Sequence, residues 1–110
     1  ASVARTLGGF GQASYATTRA DILGLTRTLA LEGAGHGITV NAIVPGVIAT
    51  KAFRFIDPEM RERMIARTAI RRAGDPEDGA SAIAFLCSDL AGYITGVALI
   101  VSGGIELFTF

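Results

Sequence analysis

The sequence predicts an α/β fold built on a parallel sheet, and three observations point to it. Helical spacing alternates with β-rich apolar runs, the order that right-handed crossovers between parallel strands produce. The apolar runs are unbroken, as in Val97-Ala98-Leu99-Ile100-Val101, which is the pattern of strands covered on both faces. Mean hydropathy is +0.46, and half of the 110 residues (50%) are apolar. So apolar a chain of this length is expected to be part of a larger α/β domain.

Taken in order, residues 1–12 are small and glycine-rich, and Gly8-Gly9-Phe10-Gly11 reads as a loop. From Ala13 to about Leu31 the spacing is helical. Tyr15, Arg19, Ile22, Leu25 or Thr26, and Leu29 share one face, and Ala16, Ala20, Leu23 and Ala30 make a small-residue face beside it. Gly33, Gly35 and Gly37 are expected to end this helix. A strand is expected over 38–44, stopped by Pro45-Gly46. Asp57-Pro58 is a cap followed by a first-turn proline, opening a charged helix to about Arg67. Asp75-Pro76-Glu77-Asp78 repeats that signal ahead of an apolar helix over 80–88. Gly92-Tyr93-Ile94-Thr95-Gly96 reads as a turn, 97–101 as a short buried strand, and Ser102-Gly103-Gly104 as its exit.

Composition narrows the function. Ten basic and ten acidic residues give no net charge, which argues against general nucleic-acid binding and against a polybasic membrane contact. No apolar run approaches the roughly 20 residues of a spanning helix, and the first residues lack the pattern of a signal peptide. A single cysteine forms no internal disulfide. A cytoplasmic protein is expected.

The residues that carry chemistry are Ser2, Tyr15 and Arg19. On a helix, Tyr15 and Arg19 lie one turn apart on the same face. A cation there favours the phenolate and lowers the tyrosine pKa from its usual ~10, toward general acid–base work near neutrality. Ser2 offers a hydrogen bond to a reacting oxygen. Gln12-Ala13-Ser14-Tyr15-Ala16-Thr17-Thr18-Arg19, with a serine thirteen residues before the tyrosine, resembles the active-site segment of the short-chain dehydrogenases/reductases. The resemblance is nearest to the 3-oxoacyl-(acyl-carrier-protein) reductases among them. It continues through Leu23 to Glu32, Val40 to Gly46, Asp75 to Asp78 and Tyr93 to Gly96.

The resemblance implies the C-terminal half of a single Rossmann-type domain over residues 1–110, without the glycine-rich turn and the residue that selects NAD or NADP. It implies an NAD- or NADP-dependent oxidoreductase in which Tyr15 moves a proton to or from a substrate oxygen held by Ser2. Arg19 would tune Tyr15 and meet the ribose. Pro45 to Thr50 would be the loop beside the nicotinamide, with Pro45 and Gly46 turning the chain, Ile48 meeting the carboxamide and Thr50 near the amide or phosphates. A small carbonyl or alcohol is the implied substrate, and a homodimer or homotetramer the implied assembly.

The family's residue at the position of Arg19 is lysine. Arginine keeps the charge but does not release a proton in proteins, so the lysine's proton relay is the function in question. Halohydrin dehalogenases, on the same fold, use Ser-Tyr-Arg at these spacings without nicotinamide, and that reading stays open beside the oxidoreductase. A non-catalytic assembly subunit is the third. Ser102 stands where aspartate is commoner, and Asp21 where a small residue is usual. His36 is expected to be an exposed loop residue and Cys87 a small core residue. Arg61, Arg63, Arg67, Arg71 and Arg72 hold half of the basic residues. A solvated helix face accounts for them, and a phosphopantetheine or coenzyme A contact is the alternative.

Overall fold

The computed structural model describes residues 13–107; Ser2 and the expected loop over 8–11 lie outside them. The order of elements is α1 (Ala13–Ala34), β1 (Ala42–Pro45), α2 (Lys51–Arg54), α3 (Pro58–Ala66), α4 (Pro76–Leu86), a 3-10 turn (Asp89–Ala91) and β2 (Ala98–Val101). Among the described residues the sheet consists of β1 and β2, which are parallel with Ala42 opposite Ala98 and Pro45 opposite Val101. Helix α1 packs against β1, and α4 against both strands. The alternating α/β order and the parallel pairing are as the sequence predicts.

Helix α1 runs three residues past its expected end, and its termination has a clear cause. Ile38 N–H bonds the Gly33 carbonyl at 3.1 Å and Gly37 N–H bonds the Ala34 carbonyl at 3.1 Å. These are the two bonds of a Schellman cap, whose left-handed residue is Gly37 at φ 69°. Gly33 therefore lies inside the helix rather than ending it. The same cap corrects the expected strand over 38–44. Ile38 is spent on the cap, and Val40 bonds the turn before β2 instead of a neighbouring strand. Its N–H reaches Thr95 Oγ1 at 3.0 Å, and its carbonyl accepts from Gly96 N–H at 2.8 Å. Regular pairing starts only at Ala42.

The buried stripe of α1 is Leu23, Thr26 and Ala30. It takes members from both expected faces, and it leaves Leu25 at 58% and Leu29 at 42% exposed. The Thr26 hydroxyl is satisfied in place by the Ile22 carbonyl at 2.7 Å. On the sheet, Val44 is fully buried and Ala42 nearly so. Alternation turns Ile43 the other way, towards Ile83 and Leu86 of α4.

Both expected aspartate–proline helix starts form. Asp57 Oδ2 accepts from the N–H groups of Glu59 at 3.1 Å and Met60 at 3.4 Å, with Pro58 in the first turn. At α4, Asp78 Oδ2 accepts from Asp75 N–H at 2.8 Å, again behind a first-turn proline. Helix α2 is a short element that the sequence reading does not contain. Thr50 caps it, its Oγ1 accepting from Phe53 N–H at 3.4 Å.

The apolar excess of the sequence is visible on the surface. Leu31, Phe55, Leu90 and Tyr93 are almost wholly exposed among the described residues. Cys87 is exposed as well, against the expectation of a core position, because it falls just past the last turn of α4, beside an open hollow at the strand starts. His36 is exposed, as expected, at the end of the α1 cap.

Asn41 holds the strand starts together. Its Nδ2 donates to the Ile94 carbonyl at 3.0 Å, and its Oδ1 accepts from Val97 N–H at 3.2 Å. Replacing it orphans two backbone groups at a partly buried site. Asn41→Ala is expected to destabilise the intact protein by about 1–3 kcal/mol. Urea unfolding checks this through a lower midpoint at an unchanged slope.

Candidate active site

Because β1 and β2 are parallel, both strands discharge at the same end of the sheet, and the candidate site is built there. Ligands of open α/β sheets bind outside the carboxyl ends of the strands. Gly46 N–H bonds the Val101 carbonyl at 3.0 Å, continuing the ladder one step past Pro45. There the two exits press together: a Cβ on Gly46 would stand 2.7 Å from Ser102 Cα and 2.9 Å from its carbonyl oxygen. Only glycine fits this approach of two backbones.

Beyond Gly46 the chain is pinned by a third segment. Ala49 N–H donates to the Gly74 carbonyl at 2.8 Å, and Gly74 N–H to the Val47 carbonyl at 2.8 Å. Ile48 and Gly74 thus form an isolated parallel bridge. Val47 is buried beneath it, and Thr50 N–H closes a tight turn onto the Ile48 carbonyl at 2.8 Å. A hollow of about 370 Å³ opens beside this loop, lined by Gly46, Ile48, Thr50, Phe53, Ile56 and Met64. A larger hollow of about 600 Å³ lies at the opposite end of the strands, among Val40, Asn41, Ile83, Cys87 and Asp89. Topology and not size picks out the first.

Ser102 hydrogen-bonds Glu106 through its hydroxyl and accepts from Gly104 N–H at 3.1 Å. It closes the β2 exit locally. The arginine-rich segment is tied into this end too. Arg71 donates to the Ala66 carbonyl at 2.7 Å, and Arg72 meets Asp78 at 2.9 Å. Arg63 pairs with Glu59 along α3 at 2.7 Å. Of these three, only Arg63 has the helix-face role that the sequence suggests.

The Arg72 guanidinium, with help from Asp75 N–H, holds the Asp78 carboxyl below its ordinary range, and Asp78 raises Arg72 in turn. A depressed folded-state pKa stabilises above the unfolded value of about 3.9. That contribution is complete at neutral pH and is lost as pH falls through the lowered value.

Tyr15 and Arg19 lie on α1, one turn apart, as expected. At 3.6 residues per turn, positions 15, 19, 23, 26 and 30 fall within a sector of roughly 80°. The two positions therefore continue the stripe that buries Leu23, Thr26 and Ala30. Ala30 adjoins Gly96 at the strand starts, 3.6 Å from where a Gly96 Cβ would be. Arg19 is about 16 Å further along the helix axis, toward its N-terminus. Arg19 is half-buried. Pro45, Gly46, Ile48 and Thr50 are brought together in one loop, while Ser2 lies outside the described residues. The sequence reading missed Gly74 and Asp78 as parts of this site. Its only trace of them was the capping signal at Asp75-Pro76.

Residues 1–106 match the family model described as Enoyl-(Acyl carrier protein) reductase. The chain belongs to the short-chain dehydrogenase/reductase family. It is 44% identical over 106 residues to the 3-oxoacyl-(acyl-carrier-protein) reductase of Vibrio cholerae, covering 96% of this chain and 43% of that one. It is 40% identical over 104 residues to the (3R)-3-hydroxyacyl-CoA dehydrogenase of Rattus norvegicus, covering 94% and 40%. The crystal structure of a short-chain dehydrogenase/reductase from Brucella melitensis superimposes with a TM-score of 0.89 at 34% identity, over 98% of this chain and 44% of that one. The chain thus spans less than half the length of these short-chain dehydrogenase/reductase relatives, and its strands belong to a Rossmann-type sheet.

The tightness of the exits makes a prediction. Gly46→Ala forces apart backbone that no rotamer can move, and is expected to cost about 1–3 kcal/mol. The amide exchange of Gly46 and Ala49 should rise with it, which hydrogen exchange measures residue by residue.

Proposed function

We propose that residues 1–110 are the C-terminal half of a single Rossmann-type domain in an NAD- or NADP-dependent oxidoreductase that interconverts a carbonyl and a hydroxyl on a small molecule. The observation that carries this reading is the glycine-tight loop from Pro45 to Thr50 at the strand exits. The loop fits a dinucleotide because it brings main-chain polar groups to the carboxyl end of a parallel sheet. It has no side chain at position 46 and a hollow beside it. Pro45, Gly46, Ile48 and Thr50 would hold the nicotinamide end, with the Ile48 backbone at the carboxamide and the Thr50 hydroxyl near the amide or phosphates.

The cofactor, when bound, supplies or accepts the hydride. Ser2 holds the substrate oxygen with its hydroxyl. In reduction the Tyr15 phenol donates its proton to that oxygen, and in oxidation the phenolate takes it back. Arg19 would favour the phenolate by its charge and would donate hydrogen bonds to the ribose, but it would not relay the proton. A cytoplasmic homodimer or homotetramer belongs to this proposal.

Arg19 favours one further reading, a halohydrin dehalogenase-like enzyme. There Ser2 and Tyr15 deprotonate a hydroxyl that displaces the neighbouring halide.

The test is made on the intact protein. NADH or NADPH is expected to bind saturably with enhanced fluorescence, and Tyr15→Phe to abolish turnover. Arg19→Lys is expected to keep or raise reductase activity, since lysine retains the charge and adds a proton relay. Rates followed across pH show that gain directly. Halide release from a vicinal halohydrin without saturable NAD(P)H binding supports the dehalogenase. Neither binding nor turnover supports a non-catalytic assembly subunit.

A further inference from the structure

Outside the loop itself, one cluster of charged side chains bears directly on its geometry. Gly74 supplies both hydrogen bonds that pin the Ile48 segment, to Ala49 N–H and from its own N–H to the Val47 carbonyl. It has no side chain with which to hold its own place. Its neighbours on either side do that. Arg72 Nη1 donates to Asp78 Oδ2 at 2.9 Å and to the Ala73 carbonyl at 3.0 Å. The same Asp78 oxygen accepts from Asp75 N–H at 2.8 Å. One carboxylate thus ties residue 72 to residue 75, with Gly74 between them, and anchors both to the first turn of α4. Arg72, Gly74 and Asp78 also line a hollow of about 290 Å³ together with Ile48 and Ser102, so the tie stands against the exits of both strands.

We propose that Arg72 and Asp78 are positioning residues that set the shape of the Pro45 to Thr50 loop, and through it the affinity for the nicotinamide cofactor. The proposal rests on the oxidoreductase reading given above. An exposed ion pair by itself contributes little to stability. Here its effect is local: it removes freedom from the segment around Gly74, which alone supplies both bonds from the Val47–Ala49 stretch to that segment. The Asp78 carboxyl is held below its ordinary range, so the tie is fully charged at neutral pH.

The experiment uses the intact protein and two readouts, amide hydrogen exchange without cofactor and fluorescence titration with NADH and NADPH. In Asp78→Asn, exchange at Ala49 and Gly74 is expected to rise about tenfold, with Gly46 and the β1 amides unchanged, and cofactor Kd to rise about three- to tenfold. Asp78→Glu should restore most of both, and kcat at saturating cofactor should change little. Arg72→Met leaves the Asp78 bond to Asp75 N–H in place, so it tests the tie even if Asp78→Asn folds poorly. Glu59→Gln, which breaks the exposed pair on α3, should change neither readout.

If wild type binds NAD(P)H but the variants leave exchange and Kd unchanged, the inference is overturned and the oxidoreductase reading stands. Exchange that rises equally through β1 and α4 also overturns it, since that is a general loss of stability. If wild type binds neither cofactor, the oxidoreductase reading fails, and the inference about affinity fails with it.

Discussion

The parallel pairing of Ala42–Pro45 with Ala98–Val101 is the interaction on which the rest of this structure depends. Antiparallel strands would send their exits to opposite ends; parallel ones send both to the same end. The four-residue ladder is short, so it relies on what fixes each extremity. At the start, the Asn41 side chain bonds the Ile94 carbonyl and Val97 N–H, an arrangement that carries the pairing into the preceding turn. At the finish, Gly46 lies against Ser102 so closely that no side chain fits between them. The register between these two points leaves no room to slip.

From that pairing the candidate site follows in steps. The β1 exit cannot continue as a strand past Pro45-Gly46, and its next residues bond Gly74 instead. Gly74 is in turn held by the tie among Arg72, Asp75 and Asp78 at the head of α4. The loop is therefore bounded on one side by the sheet and on the other by a helix start. A preorganised loop of this kind presents backbone groups without first paying for their ordering. On helix α1, positions 15 and 19 share the sector that buries Leu23, Thr26 and Ala30.

Much of this was legible in the sequence, for identifiable reasons. Proline and aspartate act locally, so the starts of α3 and α4 were readable at Asp57-Pro58 and Asp75-Pro76. The loop from Pro45 to Thr50 was readable for the same reason. What escaped was decided by contacts distant in sequence. Strand β1 starts at Ala42 because Val40 bonds Thr95 and Gly96, some 55 residues away. Thr26 displaced Leu25 from the buried stripe because the packing against the sheet selects a direction that periodicity alone leaves broad. Cys87 sits in an apolar stretch, yet it falls just past the end of α4 and outside the packed face. Gly74 reads as an ordinary loop glycine until its partners on the β1 exit are seen.

The central claim is that the strand exits, and not the larger hollow at the strand starts, form the binding end of this molecule. The most direct measurement is a map of amide chemical shifts in the isotopically labelled intact protein during titration with NADH or NADPH. The account predicts saturable shifts concentrated at Gly46, Ile48, Ala49, Thr50 and Gly74, with Asn41, Cys87 and Asp89 unmoved. Shifts concentrated at Val40, Asn41, Cys87 and Asp89 would contradict it.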